Sequence, residues 1–194
     1  MSPFEKIALL IDSPKPHATA RALGFEIDYK RLLREFKCHN PLLRPFCYTP
    51  MTQDQEYSAV RPLLDWLDYY GYALVTTLIE EFVDDCGRRK VKGNMDVEFA
   101  VDAMELVECA DRIIPFSGDS DFCRMVEAVR RRGVHVTAIS TIAGQSPMIA
   151  DELRRQADES IDLTRLKLKV ERDPFERSCS ISSVGKRRDP ADAE

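Results

Sequence analysis

Three carboxylates stand where apolar runs stop. Ile7-Ala8-Leu9-Leu10-Ile11 ends in Asp12, and Ile113-Ile114-Pro115-Phe116 leads through Ser117 and Gly118 to Asp119-Ser120-Asp121. A short uninterrupted apolar run reads as a strand buried on both faces of a parallel sheet. In an open α/β sheet, ligands sit in the crevice beyond the carboxyl ends of the strands. Asp12, Asp119 and Asp121 converge on one such crevice if their two strands are neighbours. Carboxylates held that close repel each other unless a cation or a shared proton intervenes. An oxygen-only set without a histidine partner suits Mg²⁺ or Mn²⁺ rather than zinc. Such an ion activates water and stabilises a phosphoryl transition state, so the implied chemistry is phosphodiester hydrolysis. The competing reading is local, since Asp is a preferred helix N-cap and favours the first turn. Gly118 is expected to allow a sharp turn of the backbone.

The elements that must position these residues follow from periodicity. Strands are expected over 6–12, 42–48, 72–79, 111–116 and 134–142, with a short last strand over 160–163. Pro45 restricts the second strand to an edge or a bulge. Helical stripes run over 27–36, 57–70, 95–107, 122–132 and 147–157. Trp66 reads as core. Asp96 opens the third of these helices, while Asp102, six residues on, is off its face and is not expected to be a ligand. Residues 80–94 read as a hairpin or a flexible excursion with an acidic half and a basic half. The basic half, which holds Arg89 and Lys92, is either a solvated loop or an arm that contacts phosphates. The alternation argues for a doubly wound parallel sheet with right-handed crossovers. Its first and fourth strands are then neighbours at the switch point. From Thr164 the pattern fades, so residues 1–163 are expected to form one domain and 164–194 a disordered tail.

Composition excludes several classes. The 194 residues suffice for one α/β domain, and 44% hydrophobic with 31% charged residues describes a globular chain. No apolar run approaches a membrane span, and the N-terminal residues do not read as a signal peptide. The cysteines at 38, 47, 86, 109, 123 and 179 form no Cys-x-x-Cys pair, which argues against zinc and against a disulfide framework and fits a reducing cytoplasm. A net charge of −5 does not announce a nucleic-acid binder, but a local basic patch does not need a basic total. There is no glycine-rich phosphate loop and no Gly-x-Gly-x-x-Gly, which disfavours kinases, ATPases and dinucleotide enzymes. His17, His39 and His135 share no triad-like spacing.

Four segments taken together carry a resemblance: Leu9-Leu10-Ile11-Asp12; Ala20-Arg21-Ala22-Leu23-Gly24-Phe25-Glu26-Ile27-Asp28-Tyr29; Lys92-Gly93-Asn94-Met95-Asp96-Val97; and Phe116-Ser117-Gly118-Asp119-Ser120-Asp121-Phe122. In this order the chain resembles the NYN domain family, and more closely the LabA-like (DUF88) branch of the PIN-like nuclease superfamily, from about Lys6 to Leu163. The resemblance implies a three-layer α/β/α sandwich with a mainly parallel sheet of five or six strands. It implies metal-dependent ribonuclease activity, with Asp12, Asp96, Asp119 and Asp121 as metal ligands and catalytic residues, and the leading reading is a Mg²⁺- or Mn²⁺-dependent endoribonuclease. Lys92 becomes a candidate phosphate contact, with Arg89 and Lys15 beside it. RNA, single-stranded or structured, is the expected partner, and a homodimer is left open. One departure stands out. The family usually follows its first Asp with Gly, a variable residue, Asn and Leu, where this chain has Ser13, Pro14, Lys15 and Pro16. Lys15 either neutralises the carboxylates and competes with a metal, or reaches the scissile phosphate. The alternative function is a catalytically weak NYN scaffold that binds RNA or protein. A metal-dependent phosphatase or DNA nuclease is a third reading.

Overall fold

β1 (Ile7–Asp12) is the middle strand because each of its six side chains is buried. Ile7, Leu9 and Ile11 enter one cluster, with Leu32, Leu64 and Leu67. Ala8 and Leu10 enter another, with Phe99, Val126 and Leu153. That period-two split puts a helical layer on each face. The computed structural model describes residues 5–13, 20–52, 61–83, 89–92, 95–142 and 148–173.

After β1 come α1 (Tyr29–Lys37), β2 (Phe46–Thr52), α2 (Arg61–Tyr69), β3 (Ala73–Val83), β4 (Arg89–Lys92), α3 (Asp96–Leu106) and β5 (Arg112–Phe116). A 3₁₀ turn (Ser120–Phe122) precedes α4 (Cys123–Arg131), β6 (His135–Ser140), α5 (Asp151–Gln156), β7 (Glu159–Asp162) and α6 (Leu163–Val170). The sheet order is β4-β3-β2-β1-β5-β6-β7. Six strands are parallel, and β4 adds antiparallel to β3 at one edge, with Glu80 opposite Lys92. The fold is therefore the expected α/β sandwich, and Glu80–Val83 pair antiparallel with Arg89–Lys92. The strand order reverses between β1 and β5, so the first and fourth strands read from sequence do meet at the switch point. Among the described residues, no helix is long and apolar enough to cross a membrane.

Three differences from the sequence reading have physical causes. Pairing of the second strand begins after Pro45 and runs to Thr52, and Leu42 makes only an isolated bridge to Ile7. Pro50 is tolerated inside β2 because the Tyr48 carbonyl faces β1, so Pro50 faces that side too, where β1 has already ended at the level of Tyr48. The domain also runs past residue 163. Leu163, Leu166 and Val170 form a buried helical stripe on α6, which packs on α1, and the Arg172 N–H bonds the Glu26 carbonyl. Residues 174–194, including Lys186-Arg187-Arg188, lie outside the described residues.

Candidate active site

The β1–β5 register sets Ile11 opposite Phe116, so the two chains leave the sheet side by side. Asp12 is 8% exposed there. The Ser117 hydroxyl donates to Asp12 Oδ2 at 3.2 Å, and the Asp119 N–H reaches the same hydroxyl oxygen at 3.4 Å. Ser117 thus ties the two carboxylate-bearing segments together and fixes one Asp12 oxygen. Asp119 caps the 3₁₀ turn, with Oδ1 accepting from the Asp121 N–H at 3.1 Å. The capping reading therefore holds for Asp119, and it does not exhaust that residue, because a carboxylate offers about four lone-pair sites. Asp121 follows in the turn and is exposed.

Gly118 is needed for close approach rather than for turning. Its φ is not in the left-handed region, unlike those of Gly24, Gly71 and Gly133. A Cβ on Gly118 would lie 2.0 Å from the Met148 carbonyl oxygen and 2.5 Å from Ser140 Oγ. The Gly118 carbonyl accepts the Ala150 N–H at 2.8 Å. The segment ahead of α5 therefore clamps the Ser117–Asp119 bend from the β6 side. Ser140 pairs in register with Asp162, whose carboxylate holds the Ile142 N–H at 3.2 Å and the Thr164 N–H at 2.8 Å. The carboxyl edge is thus polar from Asp12 to Asp162, with Asp12, Ser117, Ser140 and Asp162 buried.

α3 packs beside β1 and the 3₁₀ turn. Asp96 is its first residue and half-buried, placed where the helix dipole favours a negative charge. Phe99, one turn on, stacks on Phe122 at 4.3 Å between centroids and lies 4.7 Å from Tyr48, which seats the start of α3 beside the 3₁₀ turn. Thr77 of β3 donates to Glu98 Oε1 at 3.2 Å. Asp102 accepts the Tyr48 hydroxyl at 2.8 Å, a partner of its own on the β2 side of α3. Burial and the Asp102 carboxylate together raise the Tyr48 phenol well above its ordinary value.

Sequence reasoning passed over Ser117 as a positioning group and Glu152 as a nearby acid. Burial pushes the Cys123 thiol up, and the Glu152, Asp119 and Asp121 carboxylates push the same way, in that order. The Asp-Glu pair that opens α5 was the available signal for Glu152. Among the described residues, no three His, Cys, Asp or Glu side chains stand close enough to hold a metal ion between them. The structure brings Asp12, Asp119 and Asp121 to one edge and packs α3, which Asp96 opens, beside the 3₁₀ turn, but it does not close the four carboxylates into a cage. The donor chemistry still fits Mg²⁺, which binds through one or two carboxylates plus water and substrate phosphate rather than through an all-protein cage. Lys15 lies outside the described residues. The backbones of Arg89 and Lys92 belong to β4, the antiparallel strand at the sheet edge.

Comparison with known proteins agrees with this architecture. A crystal structure of a protein of unknown function from Vibrio parahaemolyticus superposes with a TM-score of 0.68 at 24% identity, over 84% of this chain and 95% of that one, and so shares the fold. The low amplitude and bright protein LabA of Synechococcus elongatus is 31% identical over 172 residues, which is 86% of this chain and 88% of LabA. The NYN domain model matches residues 6–164, from the residue before β1 to the second residue of α6. With this coverage the α/β scaffold is that of the nuclease-related PIN-like class, and the chain is a LabA-like member of the NYN domain family.

Proposed function

We propose that this protein is a Mg²⁺- or Mn²⁺-dependent ribonuclease that cleaves RNA phosphodiester bonds at the carboxyl edge of the sheet. The observation that carries the reading is the meeting of Asp12 and Asp119 at the β1–β5 switch point, joined through the Ser117 hydroxyl. Asp12 and Asp119 are the residues proposed to hold the ion, with Asp96 and Asp121 completing its shell or orienting water around it. A bound divalent ion supplies Lewis-acid stabilisation of the phosphoryl oxygens and acidifies water. The chain's own part is placement. Ser117 keeps Asp12 turned toward the edge, the cap on Asp121 keeps Asp119 in one rotamer, and the Met148 backbone holds the bend between them. Lys92, Lys15 and Arg89 are the proposed backbone phosphate contacts. Positioning of this kind supplies much of the catalysis in phosphodiester chemistry.

The test is turnover of a labelled mixed-sequence RNA with Mn²⁺, with EDTA, and with the double substitution Asp12→Ala and Asp119→Ala. EDTA-sensitive cleavage that the double variant loses is the expected outcome. Single-stranded DNA and a small phosphomonoester run alongside distinguish a DNA nuclease or a phosphatase. One observation favours a second reading, a non-catalytic RNA-binding scaffold: no ligand group of three assembles among the described residues. RNA retention without cleavage, equal in the wild type and the double variant, would select it.

A further inference from the structure

A groove of about 1090 Å³ runs between α1 and α2, on the helical layer away from α3 and α4. Lys30, Arg34 and Lys37 line it from α1. Their spacing, i, i+4 and i+7, places them in one stripe along a helix face. All three are exposed, and none has an ion pair with a carboxylate among the described residues. The carboxylate among the lining residues, Asp28, already caps α1 and pairs with Arg31 at 3.5 Å. In a chain of net charge −5, this is a concentrated basic surface.

The facing wall is aromatic. Trp66, the chain's single tryptophan, and Tyr70 lie four residues apart with ring centroids 4.2 Å apart. Tyr69, 84% exposed and outside the groove itself, stands edge-on to Tyr70 at 5.3 Å. Trp66 packs partly on the core, as its sequence context implied, yet it also lines the groove. The Lys30 ammonium sits 5.6 Å from the Tyr70 ring centre, so the two walls already interact. A cationic stripe beside a cluster of aromatic rings is the combination that binds single-stranded nucleic acid. The cations follow the phosphates, and every base has a face to stack. An acidic peptide would use the cations and leave the rings without partners. A duplex hides its base faces.

The groove also leads to the carboxyl edge. Just past the end of α1 the Pro41 carbonyl accepts the Ile7 N–H at the start of β1, and Leu42 bridges Ile7, so the Lys37 end of α1 lies toward that side of the sheet. The Lys30 end of the stripe therefore lies at the side where β1 ends, and Lys37 lies about 10 Å further along α1.

We propose that the α1–α2 groove binds single-stranded RNA and feeds it over the end of β1. The choice of RNA over DNA rests on the ribonuclease reading above, while single-stranded binding does not. The test uses the full-length protein in EDTA with a fluorescein-labelled single-stranded RNA 20-mer, with a duplex of the same sequence and poly-glutamate as competitors. Trp66 emission and label anisotropy are recorded together. Binding is expected to quench Trp66, and duplex and poly-glutamate are expected to compete poorly. The triple variant Lys30→Glu, Arg34→Glu, Lys37→Glu is expected to lose at least tenfold in affinity. The milder Lys30→Gln, Arg34→Gln, Lys37→Gln variant, which spares the helix from new repulsions, is expected to flatten the salt slope by about two, from 0.7 per single-strand phosphate contact. Tyr70→Leu is expected to weaken binding about tenfold with its circular dichroism unchanged. Unchanged Trp66 emission at saturating RNA, wild-type affinity in the glutamine variant, or equal competition by poly-glutamate would each overturn the proposal. Asp119→Asn separates the two readings: it is expected to keep this binding and to lose cleavage. Groove-dependent binding by a protein that cleaves nothing would refute the ribonuclease and leave the groove assignment standing.

Discussion

Replacing Gly118 with alanine tests whether the site is held by packing or by backbone freedom. The φ of Gly118 is open to any residue, so alanine carries no conformational penalty there and even stiffens the unfolded chain. The cost must come from space. The new Cβ would meet the Met148 carbonyl oxygen at 2.0 Å and its carbon at 2.7 Å, both backbone atoms, and Ser140 Oγ at 2.5 Å. A rotamer change relieves the serine contact but not the other two. The segment ahead of α5 must move away, and the Ala150 N–H bond to the Gly118 carbonyl, now 2.8 Å, stretches or breaks. Overpacking costs about 1–3 kcal/mol and a net hydrogen bond about 1 kcal/mol. The expected loss is about 2–4 kcal/mol, or about 5–15 °C in Tm for a domain of this size. Circular dichroism melts and urea titrations measure it. Gly133→Ala is the control, because Gly133 has φ +82° and nothing within 4 Å. It should lose only the left-handed penalty of about 1–2 kcal/mol. Gly118→Ala should also weaken Mn²⁺ binding, while Gly133→Ala should not. A Gly118→Ala protein that melts within about 2 °C of wild type would refute the clamp.

Alkaline pH should unfold the protein early. The Cys47 thiol is pushed up from 9.0 to about 11, by burial first and by the Asp12 carboxylate in part, against hydrogen bonds from Thr49 and Ser13. The unfolded thiol releases its proton near 9 and the folded one holds it. Stability is therefore complete below pH 9 and falls through pH 11, by up to about 1.4 kcal/mol per pH unit. Urea midpoints from pH 7 to 10.5 should decline above 9 in the wild type and less in Cys47→Ala, whereas a flat profile contradicts this. Tyr48→Phe leaves the Asp102 carboxylate without its 2.8 Å partner and should cost about 1–3 kcal/mol in urea titrations with Mn²⁺ affinity unchanged. Lys15→Asn should tighten Mn²⁺ binding in calorimetry if Lys15 competes with the ion, and should instead weaken RNA affinity if Lys15 contacts phosphate.

The centre of the sheet was legible because β1 and β5 are largely apolar runs with carboxylates at or just beyond their ends. Ile7–Asp12 and Arg112–Phe116 needed no partner information to be placed, and the switch point followed from their order. α6 escaped notice because Leu163, Leu166 and Val170 are interleaved with Arg165, Lys167 and Lys169, which lower the apolar content without breaking the helical period. The reason for Gly118 was illegible since its neighbours, Met148 and Ser140, are more than twenty residues away in sequence. The tie through Ser117 needed the register of β1 on β5. The α1–α2 groove needed two helix faces brought side by side, and neither stripe alone distinguishes a binding wall from a solvated surface or a core edge.

The central claim is that Asp12 and Asp119 together hold a divalent ion that cleavage requires. Calorimetric titration of Mn²⁺ into the wild type and Asp119→Asn tests it most directly, because asparagine keeps the cap on the Asp121 N–H and removes only the charge. The expected result is a binding isotherm in the wild type, none in Asp119→Asn, and Tm values within about 2 °C of each other. Equal Mn²⁺ binding by the two proteins, or cleavage of RNA by Asp119→Asn at the wild-type rate, would contradict it.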